Sequence, residues 1–171
     1  MVQERYSNLP APSPGPGNPL PLAGAFLRVL HVNDSTDDQV LFQAACRKAQ
    51  VPFNWHVADS SEKGISYLTS LMEQSRRVPV CWPDVVLLDI VMPGASGLEV
   101  LKFVRATPAL KDLPVVIFTG YPSPARRQES LGLGATGFLL KPSTFNEIVA
   151  LAKELYELVM RLKGGGDPLA V

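Results

Sequence analysis

Short, uninterrupted apolar runs alternate along this chain with longer stretches in which apolar residues recur every three or four positions. The runs at Leu27–Val32, Phe53–Ala58, Val85–Leu88, Val115–Phe118 and Gly137–Leu140 predict five strands. Three of them are continuous Val, Leu, Ile and Phe, the pattern of strands covered on both faces. The helical period predicts helices over about 35–49, 60–74, 97–107, 123–132 and 144–163. Asp59 with Glu62, and Thr144 with Glu147, have capping-box spacing at two helix starts. The last helix places Ile148, Leu151, Ala152, Leu155, Leu158, Val159 and Leu162 on one face. Five strand–helix units in strict alternation predict a doubly wound α/β domain, a five-stranded parallel sheet with helices on both faces.

The chain outside this alternation differs in composition. Six prolines fall within the first 22 residues, among Ser, Gly and Asn. Residues 1–25 are therefore expected to form a flexible tail of polyproline character, either a solvated extension or a docking peptide. Gly164-Gly165-Gly166 stops the last helix, and 164–171 is expected to be a disordered tail. The folded domain is then 26–163, too short for a second domain of ordinary size.

Composition narrows the class. Hydrophobic residues at 46% and charged residues at 19% supply a core and exclude disorder throughout. Sixteen basic and sixteen acidic residues give a formal charge of zero, which argues against a polyanion-binding surface. Cys46 and Cys81 are too few for a disulfide scaffold and lack metal-ligand spacing. No apolar run reaches the roughly 18 residues of a membrane span, and no basic-then-apolar leader opens the chain. A cytoplasmic protein without membrane association is expected.

In doubly wound sheets, ligands bind beyond the carboxyl ends of the strands. Here the first run ends in Asn33-Asp34, the third in Asp89, the fourth in Thr119 and the fifth in Lys141. Parallel strands bring these ends to one edge. Each group has a use if a phosphoryl group is handled there. Paired carboxylates attract a hard divalent cation, and Mg²⁺ suits one or two carboxylates with phosphate oxygens and water. A carboxylate can also be the nucleophile that forms an aspartyl-phosphate. Metal and lysine neutralise the equatorial oxygens, and the threonine hydroxyl holds one of them.

The strings VLHVNDS, PDVVLLDIVMPGASGLEVL, PVVIFTG and GATGFLLKP, in this order across 27–163, resemble the response-regulator receiver domain of two-component signalling. The resemblance implies a (βα)5 flavodoxin-like fold, with Asp89 as phosphoacceptor and Asp34 as a direct Mg²⁺ ligand. It implies the main-chain carbonyl of Val91 as a further metal ligand. Thr119 and Lys141 become the pair that senses the phosphoryl group, Phe138 the aromatic switch, and Lys141-Pro142 a cis peptide. One position departs from the family, which usually carries two acids after the first strand. Asn33 stands at the first of them, either a tolerated substitution able to hold a metal-bound water or a regulatory device.

With no further domain after the last helix, a stand-alone receiver is expected. Its donor would be a sensor histidine kinase or phosphotransfer protein, and the segment Ser75–Pro83 is similar to that of receivers partnered with phytochrome-type kinases. Output would pass through a downstream protein target or a homodimer formed by the 123–160 face, without direct DNA binding. On that face Arg126, Arg127, Glu129, Lys153, Glu154 and Glu157 offer exposed charges of mixed sign. A binding module that no longer uses phosphate is the alternative. An aspartate-nucleophile phosphatase fits least, because such enzymes carry an acid two residues after the nucleophile, where this chain has Val91.

Other patterns carry nothing. Gly132-Leu-Gly134-Ala-Thr-Gly137 follows a helix and enters a strand, the reverse of a dinucleotide fingerprint. Asn33-Asp34-Ser35 is a glycosylation sequon without a secretory context, and Ser60-Ser-Glu-Lys63 lacks its companion motifs. His31 and His56, inside strands, are expected to be satisfied core residues, and Cys46 a small buried hydrophobe.

Overall fold

The computed structural model describes residues 26–93, 96–121 and 123–163. Five strands and five helices alternate: β1 (Leu27–Val32), α1 (Thr36–Ala49), β2 (Phe53–Ala58), α2 (Ser61–Ser75), β3 (Val85–Leu88), α3 (Leu98–Ala106), β4 (Val115–Thr119), α4 (Pro124–Gly132), β5 (Gly137–Leu140) and α5 (Phe145–Lys163). The elements expected from the apolar pattern are all present; β4 reaches one residue further, to Thr119. The tails expected at 1–25 and 164–171 lie outside the described residues. Among the described residues, no helix is long and apolar enough to cross a membrane.

The strands form one parallel sheet in the order β2-β1-β3-β4-β5. Alternation along each strand divides the core in two. Leu27, Val29, Val85, Leu87, Val116 and Phe118 face α1 and α5, where Phe42, Cys46, Leu151 and Leu155 complete one cluster. The intervening Leu30, Val32, Val86, Leu88, Val115 and Ile117 meet Leu68 of α2 and Val100, Leu101 and Val104 of α3. Burial on both sides explains why β3 and β4 read as unbroken apolar runs.

The helix starts are fixed by side-chain caps. Ser35 Oγ accepts the Asp38 N–H at the head of α1 (3.2 Å). At α5 the expected box forms: Thr144 N–H donates to Glu147 Oε2 (3.1 Å) and Glu147 N–H to Thr144 Oγ1 (3.4 Å). The box expected from Asp59 and Glu62 does not. Because α2 begins at Ser61, the hydroxyl that meets the third N–H is that of Ser60, 3.2 Å from Lys63 N. Asp59 instead pairs with the Lys63 ammonium at 2.5 Å.

α4 is anchored least. Its one buried residue among those described is Ser130, whose hydroxyl donates to the Arg126 carbonyl (2.7 Å). At the amino edge of the sheet, Asp84 ties the start of β1 to the end of α5. It accepts the Arg28 N–H (2.7 Å) and the Lys163 ammonium (2.7 Å).

Candidate functional site

Strand order reverses between β1 and β3, which lie side by side although β2 separates them in the chain. The crevice beyond that point is where doubly wound sheets hold ligands. Backbone bonds carry the register past the strand ends: Asn33 N–H to the Ala58 carbonyl, Asp89 N–H to Val32, and Lys141 N–H to Thr119, each 2.9 Å. Asn33, Asp89, Thr119 and Lys141 thus share one edge, as expected.

Asp89 is buried, and both its carboxylate oxygens are engaged. Oδ1 accepts the Val91 N–H at 2.8 Å, and Oδ2 accepts the Lys141 ammonium at 2.5 Å. The same ammonium donates to Asp38 Oδ2 at 2.6 Å and stands 5.5 Å from the centre of the Phe118 ring. Burial alone would lower the lysine pKa; the two carboxylates outweigh it and hold it above its ordinary value. Asp38 shows the converse balance. Burial would raise its carboxyl, but the Lys141 contact holds it below the usual carboxylate range. Gly97 braces the floor of the site, since a Cβ there would overlap the Asp89 carbonyl oxygen.

Thr119 is fully buried at the end of β4, and its hydroxyl oxygen accepts the Tyr121 N–H at 3.3 Å. Phe138, paired with Ile117 across the sheet, is half-buried against the α2–α3 side of the core. The expected cis bond is absent: no peptide bond among the described residues is cis, Lys141-Pro142 included. Lys141 meets Asp89 without it, drawn in by two carboxylates on different elements.

Asn33 is wholly buried. Its Oδ1 accepts the Ser35 N–H at 3.0 Å, and its carbonyl accepts the Gln39 side-chain N–H at 2.5 Å. Its Nδ2 lacks a hydrogen-bond partner, lying too loosely towards Asp38 for a bond yet near enough to favour that charge. Asp34 follows it and is exposed. Among the described residues, no three His, Cys, Asp or Glu side chains gather into a metal cage. Mg²⁺ asks for less, one or two carboxylates with water and phosphate oxygens. The hard oxygens of Asp34, Asp89 and the Val91 carbonyl fit that demand.

Sequence reasoning missed Asp38, because it is one of two acids in the first turn of α1 and reads as an ordinary charge at a helix N-terminus. It also misjudged the histidines. His31 is buried as expected but not satisfied. Neither ring nitrogen has a partner, and Phe42, Trp55 and Phe118 surround it at centroid distances of 6.1, 5.8 and 6.4 Å. Burial, helped by Lys141, pushes its pKa down to about 3. His56 is exposed rather than core, stacked on Tyr67 at 3.6 Å. On edge strand β2, Asn54, His56 and Val57 are all exposed.

A small hollow of about 50 Å³ adjoins Lys141, lined by Asp38, Leu41, Phe42, Phe118, Pro142 and Ile148. The larger one, about 340 Å³, lies at the amino edge among Trp82, Leu110, Pro114 and Leu162, away from the strand-end residues.

A family described as the response regulator receiver domain matches residues 29–153. The two-component response regulator ORR1 of Oryza sativa subsp. indica is 31% identical over 128 residues, covering 74% of this chain and 54% of that protein. The chain therefore spans about half the length of that curated relative. Among solved structures, the bacteriophytochrome response regulator AtBRR is 31% identical with a TM-score of 0.61, covering 77% of this chain and 92% of that one. The phosphorylated cyanobacterial phytochrome response regulator RcpA has a TM-score of 0.68 at 24% identity, covering 80% and 95%, and is similar in fold.

Proposed function

This chain belongs to the response-regulator receiver family of two-component systems, and from that membership we propose that it is a phosphorylation-controlled switch whose phosphoacceptor is Asp89. Phosphorylation and Mg²⁺ binding are general features of the family. An Asp89 carboxylate oxygen attacks the phosphorus of a phosphohistidine on a sensor histidine kinase or phosphotransfer protein. The P–N bond breaks, and the imidazole nitrogen leaves with the bonding pair and takes up a proton. Bound Mg²⁺ supplies charge neutralisation on the phosphoryl oxygens; Asp34, Asp89 and the Val91 carbonyl would hold it, with Asn33 reaching it through water.

The remaining work falls to the chain's own groups. Lys141 steadies an equatorial oxygen by a charge-assisted hydrogen bond, and the Thr119 hydroxyl donates to another. The observation that carries this reading is the 2.5 Å contact of Lys141 with a buried, doubly engaged carboxylate at the switch point. Exposed, apolar Val91 offers no acid or base to hydrolyse the product, so the protein is a phosphoacceptor rather than a turnover enzyme. Output passes through the face of α4, β5 and α5 (123–160), to a downstream protein or a second copy, in the cytoplasm and without direct DNA binding. All six charged residues expected there are exposed.

Incubation with a small phosphodonor and Mg²⁺, followed by intact-mass analysis, is expected to show one acid-labile phosphoryl group that Asp89→Asn lacks. A label surviving that substitution overturns the assignment. Asn33 favours a second reading, a phosphate-independent binding module, because the site is one carboxylate short. A wild-type protein that takes no phosphoryl group from any donor would establish it.

A further inference from the structure

We propose that Asp38 is a positioning residue for phosphoryl acceptance: from the first turn of α1 it holds the Lys141 ammonium beside the reacting carboxylate. The inference rests on Asp89 being the phosphoacceptor and assigns a role to a residue outside the strand-end constellation.

Lysine is a point charge on a flexible four-carbon stem with three N–H donors. One anchor leaves it free to swing. Lys141 has two, Asp89 Oδ2 at 2.5 Å and Asp38 Oδ2 at 2.6 Å, on different elements. The Lys141 side chain is 17% exposed and that of Asp38 40%, so the pair is partly screened by solvent but is not the fully solvated kind whose net worth is near zero. Asp38 is itself held. Its N–H is capped by Ser35 Oγ, and the adjacent Gln39 side chain grips the Asn33 carbonyl. Position 33, where the family usually has an acid, offers Lys141 no charge, since its side chain is a neutral amide whose oxygen takes the Ser35 N–H.

The two anchors differ in what happens to them. When an Asp89 oxygen bonds to phosphorus, that carboxylate loses its negative charge and its hold on the ammonium weakens. Asp38 is not altered by the reaction. One lysine N–H can remain on Asp38 while another turns to a phosphoryl oxygen, and no proton leaves the lysine. The ammonium is thereby in place before, during and after transfer, which is the benefit of an oriented group.

The test compares rates of phosphoryl uptake from a small phosphodonor at saturating Mg²⁺. Wild type, Asp38→Asn, Lys141→Ala, the double variant and Asp38→Glu are measured, with melting temperatures confirming that each is folded. Asp38→Asn keeps the shape of the helix start and removes the charge. It is expected to slow uptake roughly tenfold in the wild-type background, and by less than about twofold when Lys141 is already alanine. Asp38→Glu is expected to recover most of the rate. A merely structural role would slow both backgrounds alike. Equal slowing in the two backgrounds, or an Asp38→Asn rate within about twofold of wild type, overturns the inference. A phosphorylatable wild type with either of those results sinks only the role of Asp38, whereas an inert wild type sinks the phosphoacceptor reading and this inference together.

Discussion

His31 sits among Phe42, Trp55 and Phe118 with neither ring nitrogen bonded, and such unmade bonds cost about 1–3 kcal/mol each in a fold's stability. The unfolded chain protonates this histidine near 6.5 and the folded one only near 3, so between those values the unfolded state binds the extra proton. Stability therefore falls as pH drops through 6.5 towards 3, by about 1 kcal/mol between pH 7.5 and 5.5. His31→Leu is expected to raise stability at neutral pH and to flatten this slope. A residual slope should remain, because partial desolvation of His56, whose ring is stacked on Tyr67, lowers its pKa in the same direction. Urea unfolding at several pH values measures both effects, and an unchanged slope would falsify the assignment. Asn33 makes a second residue-scale prediction. A carboxylate there would add about 1–3 kcal/mol of attraction for a divalent cation. Asn33→Asp is thus expected to bind Mg²⁺ about ten- to a hundredfold more tightly by calorimetric titration, and equal affinities would show that the amide loses nothing. The same substitution places a buried charge near Asp38, so the metal-free variant should melt lower than wild type.

Among the elements, α4 is the one least committed to the core, with Ser130 alone buried, whereas α5 buries five residues. A helix so lightly held can change its contacts when its neighbour β5 moves. If the Thr119 hydroxyl is drawn towards a phosphoryl group, space opens behind it, and half-buried Phe138 on β5 is placed to turn inward. Moving that equilibrium from a few per cent to a large majority needs about 3–5 kcal/mol of preference for the inward state, within reach of several charge-assisted bonds. Hydrogen exchange with and without a phosphoryl mimic is expected to show altered protection over Pro124–Gly132, β5 and the start of α5. Thr119→Ala should still take phosphate at Asp89 but lose those changes. Protection changes confined to the cleft, or undiminished in Thr119→Ala, would exclude this coupling. The helix starts show what pattern reading does at this scale. Thr144 and Glu147 form their box, while Asp59 yields the α2 cap to Ser60, because capping depends on which residue is first in the helix and periodicity places that only to within a turn.

At the scale of the whole molecule, the amino edge and the carboxyl edge of the sheet do different work. Asp84 closes the amino edge by holding β1 to α5, and its carboxyl lies below the ordinary range because the Arg28 N–H and Lys163 outweigh burial. The carboxyl edge collects polar groups from the ends of four strands, of which β3, β4 and β5 are apolar up to that edge while β1 carries Arg28 and His31. That division was legible in the sequence. Apolar runs of strand length fix where the strands are, the polar residue ending each run marks the edge, and strict alternation with helices makes the strands parallel. Asp89, Thr119 and Lys141 could be placed together from that logic alone. Other features could not be read locally, because each depends on residues far apart in the chain. Asp38 and Lys141 are separated by 103 positions, and nothing in the first turn of α1 distinguishes Asp38 from Asp37 until the sheet brings β5 beside it. The isolation of His31 follows from three rings on β2, β4 and α1 closing around it. Alternation in the sequence is a property of single strands and helices, and it determined the fold and the edge that carries the chemistry. The partners of a buried charge or imidazole are a property of the assembled layers, and only the tertiary structure decided them.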